Sequence, residues 1–382
     1  MIKRLSLVAL AVFAAGNANA IQVIKDAKND VQVTGLAYAS HTFGDEKNSE
    51  TYGSNTFARL GAKGKTAIND TLTAVGTYEA QLKLNDAESE QSKDNISVPV
   101  YDDTGTQIGT TKGSGSNATG TNVRTRFIFG GLDVKDVGTF TFGRQNGAVY
   151  STVANWSDVG LTDGYSGNAT GIAADKFGTG RGSDIFKYTG VFGAANVAAS
   201  YKFGTARDSA TLDKDNSAYG LAASYDVVKN FSLGASYADG KRAQTTAGVD
   251  AKDAKLWVAG AKYDDKTIYA ALVYANATDF LAENVDHTAF ETALGYTFKN
   301  GFGLLTTWEK QRVDNNGTKQ NGYNAYTLGT TYAFSKALSV AAEYRINNRE
   351  KSDYYAFTEY GVSGATKVDS ANDFQLAVKY CF

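Results

Sequence analysis

The last ten residues of the chain, DFQLAVKYCF (373–382), alternate strictly between a large apolar residue and a smaller or polar one. A period of two residues is that of a β-strand, in which successive side chains point to opposite faces. One face holds Phe374, Leu376, Val378, Tyr380 and Phe382. The other holds Asp373, Gln375, Ala377, Lys379 and Cys381. A strand of this composition is suited to separate an apolar medium from water.

The same alternation recurs along the sequence. It is clear in FSLGASYADG (231–240), HTAFETALGYTF (287–298) and KALSVAAEYRI (336–346). Segments of this kind occur about 16 times, with lengths near the roughly 9 to 11 residues that a tilted membrane strand needs. No long window shows the 3.6-residue period of an amphipathic helix. The pattern predicts an all-β protein.

The connections between these segments alternate between short and long. Short turns lie around Lys229, Asp265, Asn300 and Lys336. Eight longer polar stretches cover residues 44–53, 85–120, 151–180, 204–216, 240–253, 276–286, 313–321 and 347–371. This alternation predicts a transmembrane antiparallel β-barrel of about 16 strands, with short periplasmic turns and long extracellular loops.

Barrel closure follows from the lipid environment. Backbone N–H and C=O groups have no water to bind in a bilayer, so a β protein spans it only without a free sheet edge. We therefore expect the last strand to pair with the first, over residues 31–43. A soluble β-sandwich is the alternative, but the mean hydropathy is −0.31. In addition, no strand reads as apolar on both faces, as a buried core would require.

The first twenty residues have the features of an export signal. Lys3 and Arg4 precede an apolar run and the small-residue pattern Ala18-Asn19-Ala20. We predict a removable signal peptide over residues 1–20 and a single barrel domain over 21–382. No later apolar run is long enough for a membrane helix. The one cysteine, Cys381, has no partner in the chain for a disulfide.

Charge and motifs argue against several functional classes. The formal net charge is −2, and it becomes −4 when Lys3 and Arg4 are removed with the signal, so the sequence predicts no nucleic-acid partner. It also predicts no cofactor and no metal. The two histidines, His41 and His287, lie in no recognisable nucleophile motif, so we expect no enzyme; an outer membrane barrel hydrolase is the weaker alternative.

Two blocks, residues 55–81 and 124–150, together with the terminal strand, resemble the trimeric general diffusion porins of gammaproteobacterial outer membranes. The resemblance implies a homotrimer surrounded by outer membrane lipid and lipopolysaccharide, open to small hydrophilic solutes. It also implies that Tyr380 and Phe382 form the C-terminal signal read by the barrel-insertion machinery. In the family the third loop, here after Tyr150, folds into the lumen.

The resemblance places the basic wall of the channel constriction on Arg59, Arg126 and Arg181, with Arg124 as neighbour, and a wall glutamate on Glu79. Strand parity points all four arginines into the lumen, with Arg124 and Arg126 opposite Phe127 and Phe129. Acidic partners on the third loop are expected at Asp158 and Asp163. The lysine that the family carries on its first strand falls on Leu36, so one positive charge is missing.

Parity points one further charge, Arg144, away from the lumen. A charge facing lipid near the midplane costs roughly 2 to 4 kcal/mol, which favours a place in a subunit interface. The same outer face carries the small residues Ala74 and Gly76. We expect these three residues to contribute to the trimer.

The expected function is passive diffusion of small hydrophilic solutes and ions through a water-filled channel with a weak preference for cations. The alternative within transport is a porin selective for an oligosaccharide. That function would need an aromatic track through the lumen, to which Trp156 and Tyr165 in the third loop are the candidate contributors.

Overall fold

The computed structural model describes residues 20–44, 53–84, 95–101, 107–114, 123–162, 170–172, 177–204, 216–242, 252–348 and 372–382. The predicted signal peptide, apart from Ala20, lies outside the described residues, as do Asp163 and Tyr165. Within the described ranges, no helix is long and apolar enough to cross a membrane.

Strands dominate the described chain. They are β1 (Ile21–Lys25), β2 (Asn29–Gly44), β3 (Gly53–Ala67), β4 (Leu72–Lys83), β5 (Asn95–Tyr101), β6 (Gln107–Ser114), β7 (Val123–Val134), β8 (Gly138–Asn146), β9 (Arg181–Phe192), β10 (Ala195–Lys202), β11 (Ala218–Val228), β12 (Phe231–Lys241), β13 (Asp253–Asp264), β14 (Ile268–Ala282), β15 (Val285–Thr297), β16 (Phe302–Asn315), β17 (Thr318–Ala333), β18 (Leu338–Asn347) and β19 (Asp373–Cys381). Helix α1 (Ala148–Thr152) and a 3₁₀ turn (Ala154–Trp156) lie between β8 and β9.

Sixteen of these strands, β2 to β4 and β7 to β19, form a closed antiparallel barrel, which confirms the predicted fold. The barrel closes between β19 and β2, where Leu36 to Gly44 pair with Cys381 to Asp373. The last strand thus pairs with the first barrel strand, as expected. Strand β1 lies outside the sixteen and pairs with the start of β2, and β5 and β6 form a separate hairpin.

The two faces of β19 have the environments that its alternation predicts. Leu376, Val378 and Tyr380 are exposed on the outside of the barrel, whereas Ala377 and Cys381 are buried on the inside. The outer face is therefore the apolar one that contacts lipid, and the inner face lines the lumen.

Two of the predicted long loops are wrong. Strands β14 and β15 continue through residues 276–286 and leave only Glu283 and Asn284 between them. Strands β16 and β17 likewise continue through 313–321 and are joined by Asn316-Gly317. Both residues of that turn have positive φ, 51° and 84°, which is the backbone conformation of a tight two-residue hairpin and the reason that Asn-Gly suits it.

The expectation that no strand is apolar on both faces is also wrong. The outer face of β14 carries Ile268, Leu272 and Tyr274, which are exposed to lipid. Its inner face carries Tyr269, Ala271, Val273, Ala275 and Ala277, all buried. This inner surface is covered by the segment that contains α1.

The seam of the barrel is completed by Phe382. The Gly35 N–H donates to the Phe382 carbonyl over 2.7 Å, and the Phe382 N–H donates to the Gly35 carbonyl over 2.9 Å. The phenyl ring lies over Gly35, where a Cβ atom would overlap the ring carbons. Glycine at position 35 therefore leaves room for the terminal aromatic side chain to cover the joint between β19 and β2.

We predict that Gly35→Ala lowers barrel stability by roughly 1 to 3 kcal/mol, because the ring of Phe382 must move away from the seam. Gly64→Ala is the matched control, since the nearest atom to its added Cβ would be Val31 Cγ2 at 3.9 Å. The measurement is the temperature at which the folded barrel converts to the unfolded form on a gel. Equal effects of the two substitutions would show that the position of the Phe382 ring does not depend on the absence of a side chain at Gly35.

Candidate channel constriction

Two of the predicted wall arginines, Arg59 on β3 and Arg124 on β7, lie in one row on either side of β4. Leu36 pairs with Arg59 across β2 and β3, Arg59 with Gln81 across β3 and β4, and Gln81 with Arg124 across β4 and β7. These side chains form one row across the inner wall. Arg59 Nε donates to Gln81 Oε1 over 2.8 Å, so the uncharged Gln81, which the sequence analysis missed, holds the row together.

A β-bulge in β7 sets the direction in which the Arg126 side chain points. Glu79 pairs with Phe127 and Ala80 pairs with Thr125, which leaves Arg126 as the extra residue of the strand. Its Nε donates to Glu79 Oε1 over 2.7 Å in a salt bridge. Glu79 therefore lies beside the arginines on the same wall. Because a bulge shifts the alternation by one residue, Phe127 and Phe129 face the same side as Arg126. The predicted opposition of the arginines to these two phenylalanines is therefore wrong.

Aromatic rings support the guanidinium groups of this wall. Arg59 Cζ lies 4.5 Å from the centroid of Phe57, whose own ring stacks on Tyr38 at 4.7 Å. Arg126 Cζ and Arg181 Cζ lie 5.9 Å and 5.8 Å from the centroid of Phe127. Stacking on a ring restricts a long side chain and favours its cation. The arginines are thereby held along the wall and not left to fold back on one another.

The third loop lies inside the barrel, as the resemblance implied. Val149, Val153 and Trp156 of this loop form one buried cluster with Leu256 and Val273 of the opposite wall. Trp156 is only 3% exposed, and the Tyr269 hydroxyl donates to its carbonyl over 2.6 Å. Burial of these side chains explains why the inner faces of β13 and β14 are apolar. That run of inward alanine, valine and leucine was the signal in the sequence for where the loop packs.

Two buried glutamates of the wall bind the loop, and sequence reasoning missed both. Glu343 accepts the backbone N–H groups of Leu161 and Thr162, each over 2.8 Å, and also the Thr162 hydroxyl. Glu291 accepts the Thr170 N–H over 2.7 Å and the Ser157 hydroxyl. Acidic residues at inward positions of β15 and β18 marked them in the sequence. These carboxylates satisfy loop donors that would otherwise be buried without a partner.

Asp158 lies on the third loop, between the part that Glu291 and Glu343 hold and the wall of arginines. Its Oδ2 accepts the Tyr150 hydroxyl over 2.6 Å. Tyr150 is also within electrostatic range of Arg126 and Arg181, so the loop brings a carboxylate and the arginines to the same part of the lumen. Asp163, the second predicted acid, lies outside the described residues.

The residues expected at a subunit contact lie on the outer surface. Arg144 donates from Nε to the Thr125 carbonyl and from a terminal nitrogen to Ser183 Oγ, both over 3.0 Å. Ala74 and Gly76 share the outer face of β4 with the exposed Tyr78.

The two histidines are not brought together: His41 contacts Ser54 on the outside, whereas His287 is buried against Thr170 of the loop.

The arrangement defines a class of protein: a membrane barrel whose polar lumen is narrowed by an inward loop facing a wall of arginines. The profile of the Gram-negative porin family matches residues 6–352 of this chain. The chain is 31% identical over 406 aligned residues to the outer membrane porin protein OmpD of Salmonella typhimurium, covering 99% of this chain and 100% of that protein. It is 30% identical to outer membrane protein F of Serratia marcescens, covering 93% and 95%.

Solved structures agree on the fold. OmpF of Salmonella typhi, determined in a complex with daunomycin, superposes with a TM-score of 0.74 at 21% identity, over 94% of this chain and 99% of that one. The trimer form of Vibrio cholerae OmpT gives a TM-score of 0.63 at 19% identity, over 93% and 100%. The chain belongs to the Gram-negative porin family, and its location is the bacterial outer membrane.

We predict that Glu343→Ala loosens the third loop, because it removes the acceptor of two backbone N–H groups. Each hydrogen bond to a charged group contributes roughly 1.5 to 3 kcal/mol. The variant should show altered single-channel conductance and a noisier open state in planar bilayers. Glu343→Gln keeps one acceptor oxygen and should lie between the wild type and Glu343→Ala. Identical traces from all three proteins would contradict the role of this carboxylate.

Proposed function

We propose that the protein is a homotrimeric general diffusion porin that admits small hydrophilic solutes and ions with a weak preference for cations. The observation that supports this most directly is the arrangement of charge across the lumen. Arg59, Arg124, Arg126 and Arg181 line one wall, and the third loop carries Asp158 toward Arg126 and Arg181. The channel requires no moving part and no energy source.

The mechanism rests on the field between these groups. Low-dielectric walls concentrate the field in a narrow aqueous passage, and a passage comparable with the Debye length of about 8 to 10 Å is only partly screened by salt. Polar solutes align their dipoles in such a field. Apolar solutes must displace oriented water and gain nothing in return, so they cross slowly.

The weak cation preference rests on a balance of charges. Glu79 pairs with Arg126 at 2.7 Å and offsets part of the charge on the basic wall. Leu36 brings no charge to its place in the row beside Arg59. Asp158, and Asp163 by its position in the sequence, add negative charge on the loop. A unit charge at about 4 Å is worth roughly 4 kcal/mol at an effective dielectric constant of 20, so one group can decide the sign of the preference.

An oligosaccharide-selective channel is less well supported. Trp156, one of the two aromatic residues considered for a sugar track, is buried against the barrel wall and not available to the lumen. The other, Tyr165, lies outside the described residues. Tyr38 and Phe57 face inward, but both are buried, with Arg59 lying over the Phe57 ring.

The trimer is supported by two observations. A structural relative, OmpT of Vibrio cholerae, is described in a trimer form. In this chain the outer face that carries Ala74, Gly76 and Arg144 combines small residues with a charge that lipid would disfavour. We propose that this face packs against a neighbouring subunit, while the rest of the outer surface contacts outer membrane lipid and lipopolysaccharide. Insertion is proposed to use the barrel-insertion machinery through Tyr380 and Phe382.

Purified protein in planar bilayers tests the proposed function. We expect stepwise increases in conductance. In a salt gradient we expect a small reversal potential whose sign shows that cations are more permeant than anions. Leu36→Lys and Asp158→Asn should each shift the reversal potential toward anions, since the first adds a positive charge and the second removes a negative one. A wild-type channel that clearly prefers anions, or no response to either change, would refute the proposed balance.

Trimer stability tests the outer face separately. We expect Arg144→Ala to lower the temperature at which trimers dissociate on a gel by several degrees, with little change in conductance. Arg144→Lys should restore part of the loss if charge is what matters. A marked shift in ion selectivity without a change in trimer stability would place Arg144 in the lumen and contradict the proposal.

A further inference from the structure

Closure of the barrel brings a lysine of the last strand beside the row of arginines. In β19, Cys381 pairs with Leu36 and Lys379 pairs with Tyr38. In β3, Arg59 pairs with the same Leu36 and Phe57 with the same Tyr38. Lys379 and Arg59 therefore flank β2 from its two sides, displaced by two residues along the strands.

Lys379 faces the lumen. Its neighbours on the same face of β19, Ala377 and Cys381, are 6% and 2% exposed on the inside of the barrel, whereas Val378 and Tyr380 are exposed on the outside. Its ammonium group lies within electrostatic range of the guanidinium of Arg59. Both charges thus act on the same part of the channel.

Position 36 lies between them and has no charge. Leu36 packs against the buried cluster of Tyr38, Phe57 and Ala377, so its side chain serves as apolar support for the wall. Diagonal neighbours on adjacent antiparallel strands are about 7 to 8 Å apart, which is within reach of a long side chain. A lysine at 379 can therefore place its ammonium group where a lysine at 36 would place its own.

We propose that Lys379 is a selectivity-determining residue of this channel, supplying from the last strand the positive charge that position 36 lacks. The proposal rests on the proposed function. Lys379 makes the basic wall continuous across the seam of the barrel, from β19 through β3 to β7 and β9. The wall then presents a further site of attraction to small anions, such as carboxylates, and keeps the preference for cations weak.

The test is the reversal potential of the full-length protein in planar bilayers with a potassium chloride gradient. Lys379→Gln should raise the potassium-to-chloride permeability ratio by roughly two-fold or more, since the removed charge lies within a Debye length of the passage. Lys379→Arg keeps the charge and should leave the ratio unchanged. The double variant Leu36→Lys with Lys379→Gln should return the ratio to the wild-type value.

Lys65→Gln is the matched control. Lys65 lies on the same face of β3 as Arg59, six residues away, which is about 20 Å along a strand and beyond the Debye length. The inference is overturned if Lys379→Gln shifts the ratio no more than Lys65→Gln, or if the double variant fails to compensate. Heat-dependent mobility on a gel shows whether each variant is folded. Absence of any channel in the wild-type protein would instead refute the proposed function.

Discussion

The rest of this structure depends on the pairing of backbone hydrogen-bonding groups in a medium without water. Each unpaired N–H or C=O in lipid costs several kcal/mol, so the sheet must close. Closure here depends on a specific joint, in which β19 pairs with β2 and the backbone of Phe382 pairs with Gly35. Residues at the two ends of the sequence thereby become neighbours, and the inner wall becomes continuous.

The interior of the barrel is used in two different ways. On the side of β13 and β14 it behaves like the core of a soluble protein, with Leu256 and Val273 buried beneath the third loop. On the side of β3, β4 and β7 it is a charged surface facing water. The loop lies between the two sides. Its apolar residues pack on the first, and Tyr150, which donates a hydrogen bond to Asp158, lies within electrostatic range of Arg126 and Arg181. The buried Glu291 and Glu343 hold the loop in that position.

Besides the salt bridge between Arg126 and Glu79, neighbours that carry no net charge organise the charged wall. Gln81 joins Arg59, and the rings of Phe57 and Phe127 lie beneath the guanidinium groups. Such supports fix the direction of a flexible charged side chain, and a fixed charge acts on a passing solute more strongly than one that must first reorient. Lys379 joins this wall only because the barrel closes where it does.

The sequence by itself determined the strand period, the outward apolar face and the closed barrel. These features are local, since they follow from alternation within a strand and from the requirements of lipid. It did not determine the bulge at Arg126, the hairpin at Asn316-Gly317 or the hydrogen bonds by which Glu343 holds the third loop. Nor did it show that Lys379 lies across β2 from Arg59. These depend on register between strands and on the packing of a loop against a distant wall, which bring together residues far apart in the chain, and alternation within a single strand carries no information about which residue of another strand lies opposite.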